Sequence, residues 1–218
     1  MIENILKYPE SCMLGKTIPK TSFYRHLEVS TSMKKRFQDD VESIVWLYKI
    51  APTTLQVQAT EAMREIEVFL VELKNDSCGT ELFQFIDRFM PQYIVFLLHY
   101  ENQYRFLINY KEWADAERTR FTITQSFESG WFTTAQLTLP MQGNELPDIY
   151  ENFVRYIASD KLSNNGEELK QSVLSYQEQQ ALQKRLAALQ AQIAKEMQPK
   201  RKFELHQQIV ELQKKLKI

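Results

Sequence analysis

The end of the chain carries two apolar stripes that mirror each other about a proline. Each stripe has the spacing four, three, four, and the members are Leu182, Leu186, Leu189 and Ile193, then Leu205, Ile209, Leu212 and Leu216. Paired from the outside in, they are all centred on Pro199. Steps of three and four keep residues on one helix face, and proline ends a helix. One continuous helix would place Glu196, Lys200 and Gln207 on the seam, so the pattern predicts an antiparallel helical hairpin, a short coiled coil.

Charge is distributed unevenly along the 218 residues. Residues 50–160 contain eight Lys/Arg against sixteen Asp/Glu, whereas residues 161–218 contain eleven against six. A basic appendage on an acidic body suits nucleic acid or an acidic partner, but the same charges also occur on solvated helix faces. Both alternatives remain open from composition alone.

Composition also bounds the class of protein. The apolar fraction of 44% and the charged fraction of 25% are those of an ordinary globular chain. No stretch approaches the ~20 apolar residues of a membrane span, and the first residues do not resemble a signal peptide. Cys12 and Cys78 lie far apart and form no metal-ligand spacing. We therefore expect a cytoplasmic protein with reduced thiols, no metal, no cofactor and no membrane partner.

A helix is predicted after Ser30, because Ser30, Thr31 and Ser32 offer N-caps and apolar residues recur at helical spacing before Pro52. Those apolar residues are Met33, Phe37, Val41, Ile44 and Tyr48. Residues 64–74 are apolar on both faces, which predicts a central strand covered on both sides. A short helix over 80–89 follows and ends before Pro91.

Two β-hairpins are predicted next. Residues 93–100 and 104–111 flank a three-residue turn in which Asn102 tolerates a left-handed conformation. Residues 120–127 and 132–139 form the second pair, and Pro147 suits the first turn of a helix that continues through Phe153 and Ile157. Residues 159–166 are polar and predict a linker.

These elements predict an α+β fold. We expect a mixed, mostly antiparallel sheet flanked by helices over 1–160, a linker over 161–166 and the antiparallel helical hairpin over 167–218.

Glu72 and Lys74 provide the one candidate catalytic pair. An acid and a lysine two apart on a strand, followed by a helix, are the setting of Mg²⁺-dependent nucleases of PD-(D/E)xK type. No Asp lies between Asp40 and Asp76 to supply a second ligand, and Glu67 faces the other side of the strand. A solvated strand end explains the same residues, so the sequence favours a protein that is not an enzyme.

The hairpin offers two candidate contact surfaces. Ala187, Ala191 and Ala194 would allow close approach by a partner helix, or simply favour helix formation. The basic residues around the predicted tip could contact phosphates or merely keep the tip solvated; they are Lys195, Lys200, Arg201 and Lys202.

Six segments form a familiar set, and they are Lys16-Thr17-Ile18-Pro19-Lys20, Phe23-Tyr24, Val45-Trp46-Leu47-Tyr48-Lys49, Ile66–Lys74, Ile86-Asp87-Arg88-Phe89-Met90-Pro91 and Asn109-Tyr110-Lys111. Together they resemble an uncharacterised bacterial family, domain-of-unknown-function family 4391. Such proteins tend to be encoded beside helicases and DNA methyltransferases of restriction-modification or phage-defence systems. The resemblance implies an accessory role near DNA and supplies no catalytic residues.

We therefore expect a non-enzymatic accessory or adaptor subunit of a DNA-processing system that docks through its C-terminal hairpin. The expected partner is a helicase or methyltransferase, or a second copy of the chain. The alternatives are a divergent Mg²⁺-dependent nuclease using Glu72 and Lys74, or direct nucleic-acid binding through the hairpin tip.

Overall fold

The computed structural model describes residues 3–25, 29–114, 121–163 and 166–216. It divides into two compact units, Met1–Ser159 and Asp160–Ile218. The finer division into a linker and a hairpin domain at residues 161–166 stays a prediction.

The first unit is built on a sheet in which the described residues form seven strands. The strands are β1 (Met13–Thr17), β2 (Val41–Ile50), β3 (Ile66–Leu73), β4 (Tyr93–Tyr100), β5 (Gln103–Trp113), β6 (Phe121–Glu128) and β7 (Phe132–Thr133). Six of them follow the order β1-β2-β3-β4-β5-β6. Among the strands of the described residues, β3 and β4 pair in parallel, and the other neighbouring strands pair antiparallel. The predicted mixed, mostly antiparallel sheet is confirmed.

The α-helices in the described residues of this unit are α1 (Lys20–Arg25), α2 (Thr31–Asp40), α3 (Glu81–Phe89) and α4 (Leu146–Ala158). Side chains from α2 and α3 pack on one face of β3, in a core that contains Phe37, Phe69, Phe83 and Phe96. Helix α4 contacts β5 and β6, and its Tyr150 meets Tyr93. Tyr93 and Ile94 are consecutive on β4, so their side chains point to opposite faces of the sheet. Ile94 lies in the core beneath α3, and α4 therefore covers the other face. The prediction of an α+β fold is confirmed.

The helix predicted from residue 30 to Pro52 is wrong beyond Asp40. Its start is confirmed, because the Ser30 side chain accepts a hydrogen bond from the Met33 amide at 3.2 Å. From Val41 the chain is strand β2, buried on both faces along most of its length. Val41, Ile44 and Tyr48 show helical spacing only because a strand buried on both sides places apolar residues at almost every position.

The two predicted β-hairpins have different outcomes. Strands β4 and β5 form the first, although the positive φ of 54° belongs to Glu101 rather than Asn102. The second is wrong: β7 pairs with β5 at Gln103 and Tyr104 instead of with β6. Strand β6 pairs with Leu107–Trp113 of β5, so β7 continues the same edge where β6 ends.

The second unit contains helices α5 (Leu169–Lys195) and α6 (Pro199–Leu216). Their shared apolar cluster contains Leu189, Ile209 and Leu212 as buried members, with Leu182, Leu186, Ile193 and Leu205 packed against them. These are seven of the eight seam residues predicted from the sequence. The helical hairpin is therefore confirmed, with Pro199 as the first residue of α6.

Candidate functional site

The tip of the hairpin is closed by one acidic side chain. Helix α5 ends at Lys195, and the carboxylate of Glu196 accepts hydrogen bonds from the backbone amides of Met197 and Gln198, each at 2.9 Å. The same side chain lies 3.4 Å from the guanidinium of Arg201 on the first turn of α6. Glu196 therefore fixes the turn and joins the two helix ends.

Two large apolar side chains on this tip remain outside the seam. Met197 is 90% exposed and Phe203 is 63% exposed, the two highest values among the large apolar side chains in the described ranges. Phe203 lies two residues before the seam residue Leu205, which is about 200° around an α-helix. Phe203 therefore faces away from α5, and the hairpin core does not account for it.

Positive charge surrounds these apolar side chains. Lys195, Lys200, Arg201 and Lys202 are all exposed, and Glu196 is the acid that pairs with Arg201. We use the term apolar-basic tip for residues 195–203. It combines exposed apolar area with excess positive charge, a pattern common at sites that bind other macromolecules.

The three candidate alanines are exposed on α5. Ala187, Ala191 and Ala194 follow helical spacing, so they share one strip of the surface. Their role in partner binding stays a prediction.

The candidate nuclease residues have different partners. Glu72 is hydrogen-bonded to His99, with Oε2 and Nδ1 2.6 Å apart, and the His99 ring stacks on Tyr104. Lys74 instead donates to the backbone carbonyl of Gln38 at 2.9 Å and lies 3.6 Å from Glu42. Across the described part of the chain, no group of three or more His, Cys, Asp or Glu side chains is arranged to hold a metal ion.

A buried polar network that the sequence analysis missed lies beneath α3. The ammonium of Lys111 contacts the Asp87 carboxylate at 2.5 Å and donates to the backbone carbonyls of Asp87, Met90 and Gln92. Burial raises the pKa of Asp87 and lowers that of Lys111, and the charge of each partner opposes the shift of the other. The network ties β5 to the end of α3.

Asn109 extends this network through β5. Its amide donates to the second Asp87 oxygen at 3.0 Å, and its carbonyl oxygen accepts from Ser126 at 2.6 Å. Gln84 donates in turn to the Ser126 hydroxyl at 2.8 Å. The only sequence signal was polar residues inside an apolar strand, which does not identify the partners.

An acid and an amide on the same side of the sheet each have one oxygen atom without a partner, although the Glu67 carboxyl group also hydrogen-bonds to Glu65. Glu67 is 1% exposed, and burial raises its pKa to about 8. Its Oε2 atom and the Oε1 atom of Gln92 are buried without a hydrogen-bond partner. Both residues line a cavity of about 530 Å³ that also includes Trp46 and Phe89.

The helices in the described ranges lack the combination of length and apolarity that a membrane crossing needs. Comparison with curated proteins gives no match, and neither does comparison with solved structures. The chain does match, over residues 6–216, a family described as a domain of unknown function. This match spans both units and the segments on which the resemblance rested, so the chain belongs to the family DUF4391, domain of unknown function.

Proposed function

We propose that this protein is a non-enzymatic adaptor that binds a partner protein through the apolar-basic tip of its C-terminal hairpin. The observation that carries the proposal is the exposure of Met197 and Phe203, at 90% and 63%, on a tip whose turn is held by Glu196. Hot spots of protein interfaces are large side chains that enter pockets on a partner, and flexible Met side chains adapt to such pockets.

The charge of the tip defines the partner surface. Lys195, Lys200 and Lys202 surround the two apolar side chains, so the complementary surface is an apolar pocket with an acidic rim. Opposite charges across the rim mainly accelerate association and select the partner, whereas burial of Phe203 supplies affinity.

The proposed partner is a DNA-processing protein, a helicase or a methyltransferase. The resemblance to a bacterial family encoded beside such enzymes supports this class, in a restriction-modification or phage-defence setting in the cytoplasm. Residues 50–160 contain sixteen acidic and eight basic residues, and this negative charge opposes direct binding of that part of the chain to nucleic acid.

Site-specific photo-crosslinking in the native host tests the proposal. A photoreactive phenylalanine analogue replaces Phe203 in the full-length chain, and the control chain carries it at Leu14, which is 44% exposed on the first unit. We expect one dominant protein to crosslink at position 203 and not at position 14, through an apolar segment of that protein that has acidic residues nearby. An identical set of products at both positions, or none at 203, would refute the proposed function.

Binding of the identified partner is then measured with purified full-length variants. Met197→Ser with Phe203→Ser should weaken binding by at least about tenfold, the equivalent of 1.4 kcal/mol. Lys200→Gln with Lys202→Gln should reduce the association rate and its salt dependence, and Lys184→Gln with Lys214→Gln serves as the charge-matched control on exposed positions away from the tip. If the tip variants instead lose salt-dependent binding to DNA or RNA and bind no protein, the nucleic-acid alternative replaces this one.

A further inference from the structure

A second candidate site lies in the first unit, on the side of the sheet that carries α3. Its cavity of about 530 Å³ is bounded by β1, α1 and the end of α3 and has strands β2 and β3 beneath it. Volumes of this size accommodate small organic molecules. The cavity lies in a different unit from the apolar-basic tip, so it is independent of the proposed adaptor function.

The cavity has aromatic walls. Phe23, Trp46, Phe69 and Phe89 all line it, and Phe89 is 50% exposed. Trp46 and Phe69 meet edge to face with ring centroids 6.3 Å apart, and the indole of Trp46 donates to the Tyr48 carbonyl at 3.2 Å. Four aromatic side chains around one space supply ring faces that attract cations as well as apolar groups.

Two oxygen atoms of the lining residues have unused hydrogen-bonding capacity. Glu67 Oε2 and Gln92 Oε1 are buried and have no partner among the described residues. A buried polar atom without a partner typically costs about 1–3 kcal/mol. When Glu67 is ionised both atoms accept hydrogen bonds, so a group that satisfies them together carries at least two N–H donors.

The two lysines whose charges act on Glu67 are each paired with another acid. Lys49 pairs with Glu65 at 2.5 Å, and Lys111 pairs with Asp87 at the same distance. Lys16 also lines the cavity but is exposed. The Lys111 ammonium holds the backbone of Met90 and Gln92, which keeps the Gln92 side chain at the cavity.

We propose that this cavity binds an organic cation with an apolar body, such as an aryl amidine or an alkyl ammonium compound. Its N–H groups donate to Glu67 and Gln92, and its body packs between Trp46 and Phe89. Binding ionises Glu67, because a carboxylate beside a cation is favoured over the neutral acid that burial otherwise favours. The displaced proton leaves to solvent.

Three probes of the same shape test the site on the full-length protein: benzamidine, a cation; benzamide, its neutral counterpart; and benzoate, an anion. Binding is followed through the indole N–H signal of Trp46 in NMR spectra and by calorimetry. We expect saturable binding of benzamidine, at least about tenfold weaker binding of benzamide, and none of benzoate. Equal binding of benzamidine and benzamide, or no saturation by benzamidine, overturns the proposal.

Two variants locate the probe. Glu67→Gln should weaken benzamidine binding by at least about tenfold while leaving benzamide unchanged, because only the charge is removed. Phe89→Ala should weaken both probes, because it removes a wall at an exposed position. Unchanged benzamidine affinity in Glu67→Gln refutes the role of the acid.

Proton release gives a measurement on the unmodified chain. Calorimetry in two buffers of different ionisation enthalpy at pH 7 should show release of most of one proton per benzamidine bound. The groups that act on Glu67 are Glu65, Lys49 and Lys111. Binding without proton release contradicts the proposal even if Glu67→Gln does not fold.

Discussion

Lys111 of β5 and Asp87 of α3 form an ion pair in which both side chains are 0% exposed, with Nζ and Oδ1 2.5 Å apart. The free energy of such a pair is a balance between the cost of removing two charges from water and their attraction at short range. Here the ammonium also donates to three backbone carbonyls, so all its donor capacity is used. The pair therefore fixes the end of α3 on the sheet.

Lys111→Met should lower the free energy of unfolding by about 3–5 kcal/mol, because it leaves the buried Asp87 without its opposite charge. The double variant Lys111→Met with Asp87→Asn should recover part of that loss. Urea unfolding of the four proteins in the cycle measures the coupling. Strictly additive effects would show that the two side chains do not stabilise each other.

Stability should depend on pH through Glu67. In an unfolded chain the pKa of Glu is about 4.3, and in the folded protein burial raises that of Glu67 to about 8. Between these values the folded state holds a proton that the unfolded state lacks. The contribution of Glu67 is thus full below about pH 4 and is lost as pH rises through about 8, by up to about 1.4 kcal/mol per unit.

Glu67→Gln removes this dependence, so its stability relative to the wild type should rise from pH 5 to pH 8 in urea unfolding experiments. The neighbouring charges are the same in both proteins, namely Glu65, Lys49, Lys111, Asp87 and Lys16. Glu42→Gln, at a carboxyl side chain that is 67% exposed, is the control and should show no such change. Parallel pH profiles for wild type and Glu67→Gln would contradict the raised pKa.

The hairpin seam should be the weak point of the second unit. Leu189 is 8% exposed, and Leu189→Ala should destabilise the packing of α5 on α6 by about 2–3 kcal/mol. Hydrogen exchange should accelerate in peptides from both helices while peptides from β3 and β4 keep their protection. Gln190→Ala, at the exposed neighbouring position, should leave exchange unchanged; equal acceleration in both variants would argue against a specific seam.

No cleavage of DNA that depends on Lys74 is expected. Glu72 is engaged by His99, and Lys74 is engaged by Gln38 and Glu42. Plasmid incubated with Mg²⁺ or Mn²⁺ and the purified chain should stay intact, and Lys74→Ala should behave as the wild type. Cleavage that Lys74→Ala abolishes, and that Lys35→Ala retains, would instead establish the nuclease alternative.

The elements with a distinct local pattern were predictable from the sequence. Strand β3 is apolar on both faces apart from Glu67 and Glu72, and the hairpin seam consists of eight regularly spaced apolar residues. Strand β2 could not be predicted in the same way, because a strand buried on both faces has a spacing of apolar residues that fits a helix and a strand alike. The β5–β7 pairing was missed because it joins Gln103 to Thr133, which are not neighbours in the chain.

The polar interior was hidden for a different reason. Asp87 and Lys111 stand 24 residues apart on a helix and a strand, and nothing local distinguishes them from surface residues. Their pairing depends on where α3 crosses the sheet. At the tip, the sequence analysis named the basic residues but not Met197 and Phe203, although both fall outside the seam that the spacing defines.

Helix α2 passes into β2 with no residue between Asp40 and Val41. The junction is held on both sides, since Lys20 donates to the Val41 carbonyl at 2.8 Å and the Lys74 amide donates to the Asp40 carbonyl at 2.9 Å. One additional residue here has to be absorbed either by unwinding the end of α2 or by shifting β2, and a one-residue shift would exchange the two faces of the strand. An insertion between Asp40 and Val41 should therefore destabilise the fold, whereas the turn after Pro52 should accept extra residues. Members of the family should accordingly differ in length after Pro52 and not at the junction of α2 and β2.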